Sequence, residues 1–212
     1  MKYKMVIFDL DGTILNTIKD LCVASNEALK KFQLNPITIE DTKKYLGHGI
    51  RHLIDMASCH SSEVDLILKY FKEYYVSHYN IYTKPYDGIK EVLNWCHQKG
   101  IIIGVFSNKV EMIARALCDA HFPNVFDFVY GEVEGRKRKP DASFLISLIN
   151  SYGVSLDEVL YIGDSDVDIK TCENAKIDGL FVSYGFRDKE FLKSISTQVV
   201  DSPEEILEYL KR

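Results

Sequence analysis

Residues 3–13 read YKMVIFDLDGT. Apart from Lys4, the residues from Tyr3 to Phe8 are aromatic, β-branched or otherwise apolar, the composition of a short buried strand. Asp9 and Asp11 follow at once, and Gly12-Thr13 then turns the chain. A buried strand that ends in two carboxylates is either capped by them or delivers them to chemistry. The stretch alone permits both readings, because an aspartate after a strand commonly closes a turn. What else the chain brings to the same edge decides between them.

Beyond Thr13 the pattern is helical. Leu21, Ala24, Ala28, Leu29 and Phe32 recur at helical spacing over 18–33, and Asn35-Pro36 closes that segment. Thr38 or Asp41 caps the next helix. His48 to Ala57 form a third, and Val64, Ile67, Leu68, Phe71 and Tyr75 mark one face of a fourth over about 62–79. Pro85-Tyr86-Asp87-Gly88 breaks the chain, and from there helices alternate with strands. The predicted strands are 101–108, 126–130, 159–164 and 179–185; helices are predicted over 89–98, 110–121, 144–152 and 166–176. A last helix opens at Ser202-Pro203. Strands that alternate with helices imply a parallel sheet covered on both faces. The expected fold class is α/β: a Rossmann-like parallel core built from residues 1–14 and 86–212, with an α-helical domain of residues 15–85 inserted after the first strand.

Bulk properties bound the function. The 212 residues are 46% hydrophobic and 27% charged, with a net charge of -5. This is the composition of a globular protein, and the charge argues against nucleic acid as a partner. No apolar run reaches the ~18 residues of a membrane span, and acidic residues interrupt the N-terminal apolar stretch where a leader's cleavage site would lie. Cys22, Cys59, Cys96, Cys118 and Cys172 are odd in number and widely spaced. They fit free thiols in a reducing, cytoplasmic setting rather than a disulfide framework or zinc site. Neither nucleic acid nor membrane is the expected partner, the charge is compatible with a small anionic substrate because a site needs only local positive charge, and the expected state is a monomer or homodimer.

Four predicted strand ends, or the loops that follow them, carry polar groups suited to chemistry. They supply Asp9 and Asp11; Ser107, Asn108 and Lys109; Lys139 in the run RKRKP; and Asp164 with Asp168 in GDSDVD. Each has a plainer explanation alone: a turn, a helix cap, a solvated basic run, acids that complement a helix dipole. In a parallel sheet, however, all four meet at one edge, where ligands of open α/β sheets bind. Crowded carboxylates repel one another, and a bound cation relieves the repulsion. Oxygen ligands without His or Cys suit Mg²⁺. A metal, a lysine and exposed N–H groups form a site for a phosphoryl group, which a carboxylate can attack while a second passes a proton.

Taken together, DLDGT (9–13), FSN (106–108), KP (139–140) and GDSDVD (163–168) resemble, in order, the four motifs of the haloacid dehalogenase superfamily, and in particular its phosphatases. The resemblance implies Asp9 as nucleophile and Asp11 as general acid and later base. It implies Ser107 and the Asn108 backbone as phosphoryl holders, and Lys139 as partner of phosphate and Asp9. Mg²⁺ would be held by Asp9, Asp164 and the Asp11 backbone carbonyl, with Asp168 close by; Gly12 and Thr13 would shape the loop. Dehalogenases and phosphonatases of the superfamily lack the second aspartate, so Asp11 favours hydrolysis of a phosphate ester. The helical insert sits where the superfamily's cap belongs. DLCVASNEAL, YLGHGIRHLI and YTKPYDGIKEVL resemble the phosphoglycolate phosphatase group, although Asn16, Val110 and Ala142 depart from its usual residues. A β-phosphoglucomutase-like mutase, a pyrophosphatase and a nucleotidase are the alternatives.

The cap would read the leaving group. Gly47, His48, Gly49 and Arg51 are the candidates, since glycines let backbone approach a ligand and a helix start faces N–H groups to an anion. Asn26 and Lys109 are lesser ones. Arg136, Lys137 and Arg138 read as solvated, and the tyrosines at 70, 74, 75, 79 and 82 as packing of a cap helix.

Overall fold

The computed structural model describes residues 2–46 and 49–212. The chain divides into two compact units, one of residues 1–15 and 85–212 and one of residues 16–84.

The larger unit is built on a parallel six-stranded sheet. In chain order its strands are β1 (Met5–Phe8), β4 (Ile102–Val110), β5 (Phe128–Glu132), β6 (Val159–Gly163), β7 (Asp178–Val182) and β8 (Val199–Val200). Short strands β2 (Leu15–Asn16) and β3 (Lys84–Pro85) pair with each other where the chain leaves and re-enters this unit. The spatial order β5-β4-β1-β6-β7-β8 puts β1 between β4 and β6. The chain winds outward through β4 to β5, then returns to build β6, β7 and β8 on the other side. Its direction therefore switches between β1 and β6, and the crevice at such a switch point, outside the carboxyl ends, is where these sheets bind ligands.

Alternation sorts the strand residues. Met5, Ile7, Phe106, Val159 and Tyr161 join a cluster with Leu145 and Ile149 of α7 (Ser143–Ser151), Cys172 and Ala175 of α8 (Asp166–Ala175) and Leu192 of α9 (Lys189–Ile195). Val6, Phe8, Ile103, Val105, Leu160 and Ile162 occupy the alternate positions, all buried. α5 (Ile89–Gln98) and α6 (Glu111–His121) pack on β4, and α10 (Pro203–Leu210) on α5. β1 and β6 are buried at every position, as a two-sided parallel sheet requires.

The unit of residues 16–84 holds α1 (Ile18–Lys31), α2 (Ile39–Tyr45), α3 (Ile50–Ala57) and α4 (Val64–His78). Its core contains Leu21, Ala28, Leu53, Ile54, Ile67, Phe71 and Tyr75. Thr38 caps α2 in a reciprocal box with Asp41. Buried Asp20 accepts hydrogen bonds from Tyr82 N (3.0 Å), Thr83 N (2.8 Å) and Thr83 Oγ1 (2.7 Å), tying the last residues of the unit to its first helix. Asn26 clamps the Ile37 peptide, donating to its carbonyl at 2.9 Å and accepting from its N–H at 2.8 Å, so its side chain serves this unit's own packing. Phe71 and Tyr75 are core, whereas Tyr82 is exposed beneath Lys19. Among the described residues, no helix is long and apolar enough to cross a membrane.

Two sequence expectations need correction. Arg136 is not solvated: it pairs with Glu111 at 2.5 Å, donates to Gly131 O at 2.8 Å and stacks on Phe144 with its guanidinium 4.2 Å from the ring centroid. The strand predicted over 179–185 ends at Val182, and 183–188 form a loop that reaches back to the end of β1.

Candidate active site

Asp9 follows β1 directly. Its N–H donates to Ile162 O at 2.8 Å, which extends the β1–β6 ladder by one rung and fixes where the side chain starts. Asp164 follows β6 in the same way. The carboxylates of Asp9, Asp164 and Asp168 come together, with one oxygen of each within 4.8 Å of the others, and all three residues are buried. Lys139, from the loop between β5 and α7, sends its ammonium into this group, 2.9 Å from Asp9 Oδ1 and 2.6 Å from Asp168 Oδ1.

The electrostatics follow from burial. Burial pushes the Asp9 carboxyl up to about 6, against the pull of Lys139 and with the push of Asp168 and Asp11. Asp164 is raised well above the usual carboxylate range, first by burial and then by Asp168 and Asp9. Burial works against the Lys139 charge, but Asp168 and Asp9 outweigh it and hold the ammonium above the usual lysine range. Three buried acids face one buried cation, so the group has negative charge to spare. Its donors are hard oxygens, which fits a magnesium-type cation rather than zinc or copper.

The three acids are not equivalent. Asp168 is the N3 residue of α8 in a capping box with Ser165. Its Oδ2 accepts from Asp164 N, Ser165 N and Ser165 Oγ, while Oδ1 accepts from Lys139 and has the Tyr161 hydroxyl 3.1 Å away. A carboxylate offers about four lone-pair sites, so Asp168 is saturated by donors of the protein itself. Asp164 Oδ2 accepts from Phe186 N at 2.7 Å. Phe186 lies in the loop after β7, which the sequence reading did not connect to the site. Tyr184 of the same loop donates to Thr13 O at 3.0 Å.

Gly12 has to be glycine here. Its φ is +85°, and a Cβ would stand 2.2 Å from Asp164 Oδ2. The turn after Asp11 therefore lets backbone and carboxylate occupy nearly the same place. Thr13 is fully buried and its Oγ1 has no hydrogen-bond partner among the described residues.

β4 brings the second group. Its pairing with β5 shifts register between Phe106 and Val110, so the irregularity falls on Ser107, Asn108 and Lys109 and re-aims them. Ser107 is buried, and its Oγ accepts from Lys109 N at 3.3 Å. The Asn108 side chain clamps the Lys139 peptide, accepting from its N–H at 2.8 Å and donating to its carbonyl at 3.1 Å. Lys109 is buried, and its ammonium lies 2.9 and 3.2 Å from the two oxygens of Asp11. That pair joins residues 98 positions apart, and no spacing in the sequence signals it.

Asp9, Asp11, Ser107, Asn108, Lys109, Lys139, Asp164 and Asp168 thus all belong to the larger unit, at the carboxyl ends of β1, β4 and β6 and in the loop after β5. Gly49 and Arg51 belong to the other unit. Gly49 precedes α3 at φ +89°, and the exposed Arg51 pairs with Asp65 of α4. Gly47 and His48 lie outside the described residues.

This arrangement can be compared with known proteins. The family model described as haloacid dehalogenase-like hydrolase matches residues 6–182. The chain is 30% identical over 196 residues to phosphoglycolate phosphatase of Mesorhizobium japonicum, covering 89% of this chain and 86% of that one. It is 29% identical over 216 residues to phosphoglycolate phosphatase of Vibrio parahaemolyticus, covering 97% and 95%. Its fold is similar to the crystal structure of a Lactobacillus delbrueckii subsp. bulgaricus protein provisionally named phosphoglycolate phosphatase, with a TM-score of 0.92, 35% identity and 97% of each chain covered. The matched span runs from β1 through β7 and takes in every strand end that carries the site, and on that ground the chain belongs to the haloacid dehalogenase-like hydrolase family.

Proposed function

We propose that the protein is a Mg²⁺-dependent phosphatase that hydrolyses a small phosphorylated metabolite, with 2-phosphoglycolate the foremost candidate, through an aspartyl-phosphate on Asp9. The observation that carries this reading is the buried group of Asp9, Lys139 and Asp164 at the switch point of the sheet, with Ser107 on the neighbouring strand. The names of the Mesorhizobium and Vibrio relatives support the substrate class.

In this mechanism a carboxylate oxygen of Asp9 attacks phosphorus as the bond from phosphorus to the ester oxygen breaks. Asp11 gives its proton to that leaving oxygen. It then takes a proton from the water that attacks the aspartyl-phosphate, which releases inorganic phosphate and regenerates the Asp9 carboxylate. Lys109, on both Asp11 oxygens, sets the direction of that side chain. Lys139 and Ser107 hold phosphoryl oxygens. Asp9, Asp164 and the Asp11 backbone carbonyl would hold Mg²⁺, which supplies positive charge against the transferring phosphoryl group. Asp168 keeps Lys139 and the Asp164 backbone in place. Choice of the leaving group is assigned to the helical insert, with Gly47, His48, Gly49 and Arg51 as its candidate residues.

The test is release of inorganic phosphate, with and without Mg²⁺, from a panel containing 2-phosphoglycolate, glucose 1-phosphates, pyrophosphate and nucleotides. Turnover that requires Mg²⁺ and favours 2-phosphoglycolate is expected. Asp9→Asn abolishes it; normal turnover by that purified variant refutes the mechanism. Isomerised sugar phosphate in place of free phosphate would make the protein a mutase.

A further inference from the structure

Lys139 carries three ammonium protons on a flexible four-carbon stem. Its Nζ donates to Asp168 Oδ1 and lies in ion-pair range of Asp9 Oδ1, and it also donates to the hydroxyl of Tyr161 at 2.9 Å. Tyr161 lies on β6 and is fully buried in the apolar cluster beneath α7 and α8. Its own proton goes to Phe106 O at 2.8 Å, with Asp168 Oδ1 a longer alternative at 3.1 Å. Because β1 separates β6 from β4, the ring reaches over β1 to the carbonyl just before Ser107. A buried hydroxyl is costly unless it is hydrogen-bonded, and phenylalanine would fill the same space without that cost. Every hydrogen bond of this hydroxyl instead ends on an element of the site.

We propose that Tyr161 is a positioning residue for Lys139. Its oxygen takes the third N–H of the ammonium and anchors it to the strand that carries Ser107. The remaining two N–H groups then face Asp9 and Asp168. Without the hydroxyl, the third N–H turns to a carboxylate oxygen and draws the ammonium away from where phosphoryl charge develops. Preorganised charge counts most in the transition state, so the loss appears in kcat. The inference rests on the phosphatase reading above.

The experiment is Tyr161→Phe, assayed with p-nitrophenyl phosphate and Mg²⁺. The expected result is a fall in kcat of about 10- to 100-fold, the scale of a misplacement near one ångström, with KM changed by less than about threefold. Inhibition by orthovanadate, a five-coordinate mimic of the transferring group, should weaken by about the same factor as kcat/KM, while inhibition by inorganic phosphate holds. A purely structural role would lower the folded fraction and leave the vanadate-to-phosphate ratio unchanged, and that result overturns the proposal. A wild-type chain that turns over no phosphate ester overturns the phosphatase reading and this inference with it. An active wild type matched by an equally active Tyr161→Phe overturns the inference alone. Should the variant not fold, 3-fluorotyrosine placed at 161 keeps the shape and hydroxyl but weakens the oxygen as an acceptor. A lower kcat at constant KM then supports the proposal, and an unchanged kcat refutes it.

Discussion

Replacing Gly12 by alanine separates two reasons for a glycine in the turn after Asp11. The first is backbone strain. At φ +85° an L-residue is disfavoured by about 1–2 kcal/mol, which for a chain of this size lowers the melting temperature by about 2–8 °C. The second is collision. The new Cβ would lie 2.2 Å from Asp164 Oδ2 and 2.7 Å from its Cγ, both well inside the 3.4 Å at which ordinary contact begins, the oxygen by more than an ångström. Asp164 has little room to yield, because it is buried and its Oδ2 is held by Phe186 N. Either the carboxylate or the Asp11–Thr13 turn must move by about an ångström, and a misplacement of that size can cost about 10²-fold in rate. The assay is kcat for p-nitrophenyl phosphate across a Mg²⁺ titration, alongside thermal unfolding. Gly153→Ala is the control, since Gly153 has φ +68° with nothing within 4 Å of its would-be Cβ. It should share the strain and keep the rate. A Gly12→Ala enzyme with wild-type kcat and Mg²⁺ dependence, or a Gly153→Ala enzyme that loses as much activity, refutes the reasoning.

Asp11→Asn should slow unactivated esters by about 10²- to 10⁴-fold and p-nitrophenyl phosphate much less; equal losses on both would remove the general-acid role. Mg²⁺ at about a hundred times its dissociation constant should stabilise the fold by about 2.7 kcal/mol, a rise of about 5–10 °C in thermal unfolding. Asp164→Asn should erase most of that rise, and an equal rise in the variant would place the cation elsewhere. Asp20→Ala strands Tyr82 N and Thr83 N, leaves Thr83 Oγ1 only its longer bond to Tyr79 O, and should destabilise the helical unit by about 2–4 kcal/mol, read by denaturant unfolding. A loss below about 0.5 kcal/mol would show that water replaces the carboxylate.

Local regularity made much of the architecture legible. β1 and β6 are short apolar runs that end at aspartates, and α1, α4, α5, α6 and α8 show helical spacing in their apolar residues. Those signals depend on neighbours in the chain, and the observed bounds lie within a few residues of the expected ones. The segments that were missed are short. β8 has two residues and α9 has seven, too few for a period to register. The overlong strand expected after Gly179 shows the same limit, because SYG continues the composition of a strand while the chain has already turned toward Asp164.

The linear chain already shows which residue types stand at the strand ends and in what order, and hence the family. A carboxylate pair, a serine-asparagine, a lysine-proline and a second carboxylate pair occupy fixed places in the linear pattern. What each group touches depends on the three-dimensional fold. Lys109 on Asp11, Tyr161 on Lys139 and Phe186 N on Asp164 link residues 98, 22 and 22 positions apart. Periodicity reports which face a residue takes, not its partner across the sheet. Arg136 marks the same boundary: a basic run looks solvated until the fold supplies Glu111 and the Phe144 ring. Saturation of Asp168 by protein donors is likewise a property of three-dimensional packing.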